Sequence, residues 1–233
     1  MNDPTIHVPF DNLGGDLNGV SELMCRPRTA IGILIIDASE SMRVHGPAPA
    51  EAVDNAVAAL QKDQSGVTYY LGIVSFANRM QVLQRIAPVH AITPLAGYRA
   101  AGNTRLFGTV SDVLTFLLGQ VMMAGDRIAT DLSVAVGVFS DGNDNLSPES
   151  LPLLHETAKA VRSRGWSLQT FGIGIDSKSL ARTLGFDLDM AITVRATAQG
   201  LDDATSTFMN TMTTRLTRID DPSTTDEGIR SDP

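Results

Sequence analysis

Residues 37–41, Asp-Ala-Ser-Glu-Ser, set one carboxylate and two hydroxyls at alternate positions directly after the apolar run of residues 31–36. In extended chain alternate side chains face the same way, so Asp37, Ser39 and Ser41 can converge on one point. Two other segments offer the same kind of atom. Gly102-Asn103-Thr104 stands just before a helical stripe that begins at Leu106, and Ser140-Asp141-Gly142-Asn143-Asp144 follows the apolar run of residues 132–139. Thr104 adds a third hydroxyl and Asp141 a second carboxylate. Hard oxygen donors without imidazole or thiolate suit Mg²⁺, with Mn²⁺ or Ca²⁺ as substitutes. Two carboxylates balance a divalent charge, and three neutral hydroxyls leave at least one octahedral position for water or an acidic ligand. Such a site recruits rather than stores.

These residues must be held by the elements that precede them. Residues 31–36, 69–76, 132–139, 168–173 and 190–194 are strand-length and rich in β-branched or aromatic side chains. Their near-continuous apolarity predicts strands buried on both faces. Helical spacing recurs in Val53, Val57 and Leu60, and again from Leu106 through Val110, Val113, Leu114 and Leu117 to Val121. Leu154, Ala158 and Val161 form a third stripe, and Leu201, Ala204, Phe208, Met212 and Leu216 a fourth. The alternation predicts an α/β fold, doubly wound, with a mostly parallel central sheet and helices on both faces. Residues 81–86 follow residues 69–76 after the short turn at 77–79, which predicts a hairpin and one antiparallel edge strand. Open sheets of this class bind ligands at the carboxyl ends of their strands, where all three oxygen-bearing segments fall.

Asp37-x-Ser39-x-Ser41, Thr104 and Asp141, in this order and beside these elements, resemble the metal-ion-dependent adhesion site of von Willebrand factor type A domains. The resemblance covers roughly residues 28–218. It implies that the two serines and the threonine contact a metal directly or through water, that the aspartates act mainly through water, and that a partner carboxylate completes the shell. It also implies a metal-dependent protein–protein interaction module rather than an enzyme. The expected partner presents Asp or Glu, and intracellular members suggest an AAA+ ATPase or a stress-response complex as its class. Two positions depart from the pattern: Glu40 stands where many members have Gly, and Gly102-Asn103 where they have Gly-Gly. Glu40 either tightens cation binding or competes for the open position; the plainer expectation is that it points to solvent.

Other readings of the same residues differ in what they require. Asp37 could be a helix N-cap, and Thr104 could cap the Leu106 helix without touching metal. Asn143 and Asp144 read most simply as turn residues. A Mg²⁺-dependent phosphotransferase with Asp37 as nucleophile would need an acidic residue two positions on, where Ser39 stands. A scaffold with a purely structural metal is the third possibility. Residues 137–142, Gly-Val-Phe-Ser-Asp-Gly, have one residue too many for a nucleophile elbow, and no P-loop segment exists. The four histidines lack the i, i+4 spacing of a helical zinc site.

The chain of 233 residues, 43% hydrophobic and 19% charged, fits one α/β domain with a sizeable core. Its net charge of −8 and pI near 4.9 argue against nucleic acid as a partner. Cys25 is the only cysteine, so no internal disulfide or thiolate metal cluster can form. With neither a signal-peptide pattern at the start nor about 18 uninterrupted apolar residues later, the expected compartment is the cytoplasm, without membrane binding. Residues 1–27 are expected to form an N-terminal arm, residues 28–218 the domain, and residues 219–233 a disordered acidic tail.

Overall fold

The computed structural model describes Leu13, residues 19–142 and residues 144–217, with side chains through Met212. Six strands form one sheet: β1 Thr29–Asp37, β2 Thr68–Phe76, β3 Met80–Pro88, β4 Ser133–Ser140, β5 Ser167–Ile173 and β6 Ala191–Val194. They lie in the order β3-β2-β1-β4-β5-β6. All neighbours are parallel except β2 and β3, which form the hairpin expected at the edge. Every residue of β1, β4 and β5 is buried, as their unbroken apolar runs require of strands covered on both faces.

The helices are α1 Gly19–Leu23, α2 Ala48–Leu60, α3 Leu106–Ala124, α4 Leu151–Arg162, α5 Ser177–Leu184 and α6 Ala198–Thr217. Ile31, Ile33 and Ile35 of β1 face the layer that contains α1, α3, α4 and α5. Ala30, Leu34 and Ile36 face α2 and α6. The period of two along one strand thus feeds two separate cores. The segment 106–127 is long and apolar enough to cross a membrane by length and composition, yet 67% of its most apolar 18 residues are buried within the fold. Part of residues 1–27 packs as well: Leu13, Val20 and Met24 are fully or nearly fully buried in the first core. The acidic tail lies outside the described residues, as does the side chain of Leu216 at the end of the fourth stripe.

Close packing on the second face depends on a missing side chain. A Cβ on Gly137 of β4 would lie 2.6 Å from a ring carbon of Phe208, which is itself fully buried in α6 and cannot retreat. Gly137→Val is therefore expected to destabilise the fold by about 1–3 kcal/mol through overpacking, read as a lower denaturant midpoint at unchanged slope.

Candidate metal centre

Asp37 ends β1 beside Ser140, which ends the adjacent strand β4. The Asp37 carboxylate is completely buried. Its Oδ1 accepts the Ser39 backbone N–H at 2.8 Å, and its Oδ2 accepts the Ser140 hydroxyl at 2.6 Å. Ser39 is still extended, and the chain then enters the tight turn Glu40–His45, which carries Ser41. Ser41 donates to Asp141 Oδ1 at 2.8 Å. With its one proton so engaged, Ser41 accepts from Ser39 across 3.0 Å. Asp37, Ser39, Ser41 and Asp141 are thereby joined in one hydrogen-bonded string.

Thr104 is held through its backbone to the loop that carries Asp141, rather than to this string. Its N–H donates to Asn145 Oδ1 at 2.8 Å, and its carbonyl accepts the Asn145 N–H at 3.0 Å. The Thr104 loop is tied to the Asp37 segment by Glu40 N–H to the Gly102 carbonyl at 2.9 Å and Ala101 N–H to the Ala38 carbonyl at 2.8 Å. Gly102 has φ of +88°, a conformation that costs a residue with a Cβ. Asn103 does not share it, so the turn needs glycine only at 102 and tolerates the Asn-for-Gly departure. Asn78 secures the turn by accepting the Asn103 N–H at 2.8 Å.

The first turn of α3 is capped from outside. Asp144 Oδ2 accepts the Phe107 N–H at 2.6 Å, and Ser147 Oγ accepts the Gly108 N–H at 2.9 Å. Thr104 therefore has no capping duty, which removes the competing reading of that residue. Asp144 is a turn residue too, since its Oδ1 accepts from Leu146 N–H at 2.9 Å and Ser147 N–H at 2.6 Å. Asp37 caps no helix: the turn Glu40–His45 begins at Ser39 and has no side-chain cap. Glu40 turns away from the string and pairs with Arg43 at 2.9 Å, both side chains well exposed.

Burial raises the pKa of Asp37; hydrogen bonds from Ser140 and Ser39 oppose this, and the Asp141 charge adds to it. Among the described residues no Lys, Arg or His pairs with Asp37 or Asp141. Two neighbouring carboxylates, one of them dry, are thus left without a positive charge. Tyr98, whose hydroxyl donates to the Asp37 carbonyl at 2.8 Å, has its phenol pKa raised by burial and then by both carboxylates. The donor set fits a hard divalent cation, because it supplies two carboxylates and hydroxyl oxygens. Among the described residues no group of three His, Cys, Asp or Glu side chains could hold a metal, so a softer site is absent there.

Ser140, Tyr98, Asn78, Asp144, Asn145 and Ser147 were not expected to shape the site. Ser140 could have been found as the small polar residue ending the strand next to β1. The other five act across long sequence separations that no local pattern marks, although the local turn role of Asp144 was legible.

No family model and no curated protein sequence matches this chain. Solved structures do. Proximal thread matrix protein 1 from the mussel byssus, described with a zinc-occupied MIDAS motif, is 16% identical with a TM-score of 0.53 over 81% of this chain and 46% of its own. The pilus adhesin SpaC of Lactobacillus rhamnosus GG is 12% identical with a TM-score of 0.58, over 80% and 30%. A von Willebrand factor type A protein from Catenulispora acidiphila is 14% identical with a TM-score of 0.50, over 81% and 43%. The chain spans less than half the length of each. At these identities the likeness concerns architecture: the chain has the von Willebrand factor type A fold.

Proposed function

We propose that this protein is a metal-dependent interaction module, in which Asp37, Ser39, Ser41, Thr104 and Asp141 hold Mg²⁺ and offer it to an Asp or Glu of a protein partner. The observation that carries this reading is the fully buried Asp37 carboxylate, set beside Asp141 with no cationic side chain in reach among the described residues. A buried charge without a partner is costly, and a divalent ion is the simplest compensation. The metal-occupied byssus structure with the same fold supports a divalent ion in general.

When bound, the ion supplies a centre that attracts a carboxylate. The chain does the rest. Ser140 and the Ser39 amide fix the Asp37 carboxylate. The Ser39–Ser41–Asp141 string fixes the hydroxyls, and Asn145 fixes the Thr104 loop. Ser39 gives its proton to Ser41 and cannot serve as an acid or base beside Asp37, so nothing in the geometry favours phosphoryl transfer. We place the module in the cytoplasm, consistent with its lone cysteine.

Affinity capture from cell extract in Mg²⁺ and in EDTA tests the reading. Capture should require Mg²⁺, and Ser41→Ala should weaken it by about 2–5 kcal/mol while the fold persists, because one side of a desolvated charged contact is disturbed. Equal capture in both conditions would overturn the proposal.

A further inference from the structure

The two edges of the sheet differ. At β3 the Ile86 N–H donates to the Leu13 carbonyl at 2.9 Å, so residues ahead of α1 occupy that edge at this point. At β6, among the described residues, no further strand follows. Residues 192–195, in unbroken succession, line one wall of an open groove of about 360 Å³, and Gly200, Asp203 and Thr207 of α6 line the other. Helix α6 leads away from this edge: Phe208 seats over Gly137 of β4, and Met212 over Gly32 of β1. The outer side of β6 is thus left open.

The backbone groups that face outward from β6 complement themselves. Gly174 N–H donates to the Val194 carbonyl at 2.9 Å, so Val194 and, by alternation, Ile192 face β5, while Ala191, Thr193 and Arg195 face outward. The Ala191 N–H already bonds the Leu188 carbonyl, and the Arg195 carbonyl accepts the Thr197 N–H at 2.8 Å. What remains is both groups of Thr193, the Ala191 carbonyl and the Arg195 N–H. Two antiparallel copies of β6 centred on Thr193 would exchange both Thr193 bonds, and each Arg195 N–H would meet the other copy's Ala191 carbonyl. No member of the set is left over. The charges agree with this pairing. Asp189 stands exposed just before the strand and Arg195 exposed just after it, and among the described residues neither makes an ion pair. Antiparallel pairing brings the Asp189 end of one strand beside the Arg195 end of the other, where opposite charges favour it. We infer that a second copy of this chain docks at β6, in a two-fold dimer whose sheets join edge to edge.

A contact built on so short a strand makes a reversible dimer, so the full chain is followed by sedimentation velocity from about 1 to about 500 µM, where the weight-average mass should climb from monomer toward dimer. Thr193→Pro removes an outward N–H and leaves the bonds to β5 in place, which an edge strand tolerates, and it should weaken association about tenfold or more. Thr193→Val keeps that N–H and loses only the side-chain bond to Ser177, so it should associate like the native chain. Arg195→Asp should also weaken association about tenfold, and Asp189→Arg/Arg195→Asp should restore it to within about threefold of native. Circular dichroism checks that each variant is folded; should Thr193→Pro fail to fold, the charge reversal and its rescue carry the test. A chain that stays monomeric at the highest concentration, or a dimer that neither Thr193→Pro nor Arg195→Asp weakens, would overturn the inference.

Discussion

Saturating Mg²⁺ should raise the melting temperature of the native protein by about 5–10 °C, and Asp37→Asn should abolish that rise while making the metal-free protein more stable than the native one. The first part is linkage: a ligand that binds only the folded state adds about 2.7 kcal/mol at roughly 100 times its dissociation constant, and a domain of this size gains about 2–4 °C per kcal/mol. The second part follows from the burial of Asp37. Its folded pKa is raised, so the folded state holds the proton more tightly than the unfolded chain does. Stability contributed by the protonated form is present at low pH and is lost as pH rises through the folded pKa. At neutral pH the ionised group therefore opposes folding. Asparagine removes the charge yet can still accept the Ser39 amide. The expected gain without metal is on the order of 1 kcal/mol. Calorimetry in Mg²⁺ and EDTA at several pH values reads both parts. A native protein indifferent to Mg²⁺, or an Asn variant that melts lower than native in EDTA, would contradict the electrostatic account.

Asp144→Ala should be the most damaging single change near the site that touches no proposed metal residue. Its carboxylate accepts three backbone N–H groups, from Phe107, Leu146 and Ser147, and also the Ser147 hydroxyl. One N-cap is worth about 0.5–2 kcal/mol, and hydrogen bonds to a charged group about 1.5–3 kcal/mol each. Water replaces part of this at a half-exposed position, so a net loss of about 3 kcal/mol is expected, or about 6–12 °C in Tm. The Mg²⁺ response should weaken as well, because the loop that positions Asn145 and hence Thr104 loses its brace. Asp144→Asn should recover part of the stability. Unchanged denaturant curves for Asp144→Ala would show that the cap is dispensable.

Most of the architecture was legible from residue pattern. The apolar runs leading into Asp37 and Asp141 read as buried strands, and the long stripe from Leu106 as a helix, which is what they form. Helix α5 was missed although its buried residues Ser177, Leu180, Ala181 and Leu184 have helical spacing, because only Leu180 and Leu184 of its eight residues are large and apolar. Helix α1 was hidden because its five residues carry too little periodicity to separate from loop. At the site Asp37, Ser39 and Ser41 do meet and are linked to Asp141, but not by the strand alternation expected: β1 ends at Asp37, and Ser41 lies in the tight turn Glu40–His45. The supporting residues were illegible because their partners are distant in sequence. Asp144 reads locally as a turn residue and is one, but its bond to Phe107 belongs to the fold. The Tyr98 hydroxyl finds Asp37 across 61 residues.

That distance has a consequence for the order in which the molecule is built. The bonds from Phe107 to Asp144 and from Thr104 to Asn145 span 37 and 41 residues, and β4 lies inside both spans. The first turn of α3 cannot be finished by its own sequence, because its N-cap, Arg105, makes no side-chain capping bond. Closing loops of that length is slow relative to forming a helix, and it is repaid only once β4 is seated beside β1. The helix body should therefore form early and its first turn late, with substitutions at Asp144 and Asn145 speeding unfolding while barely slowing folding. A nascent chain should complete the loops proposed to hold the ion only after the sheet is in register, so occupancy of that site would report on completed folding.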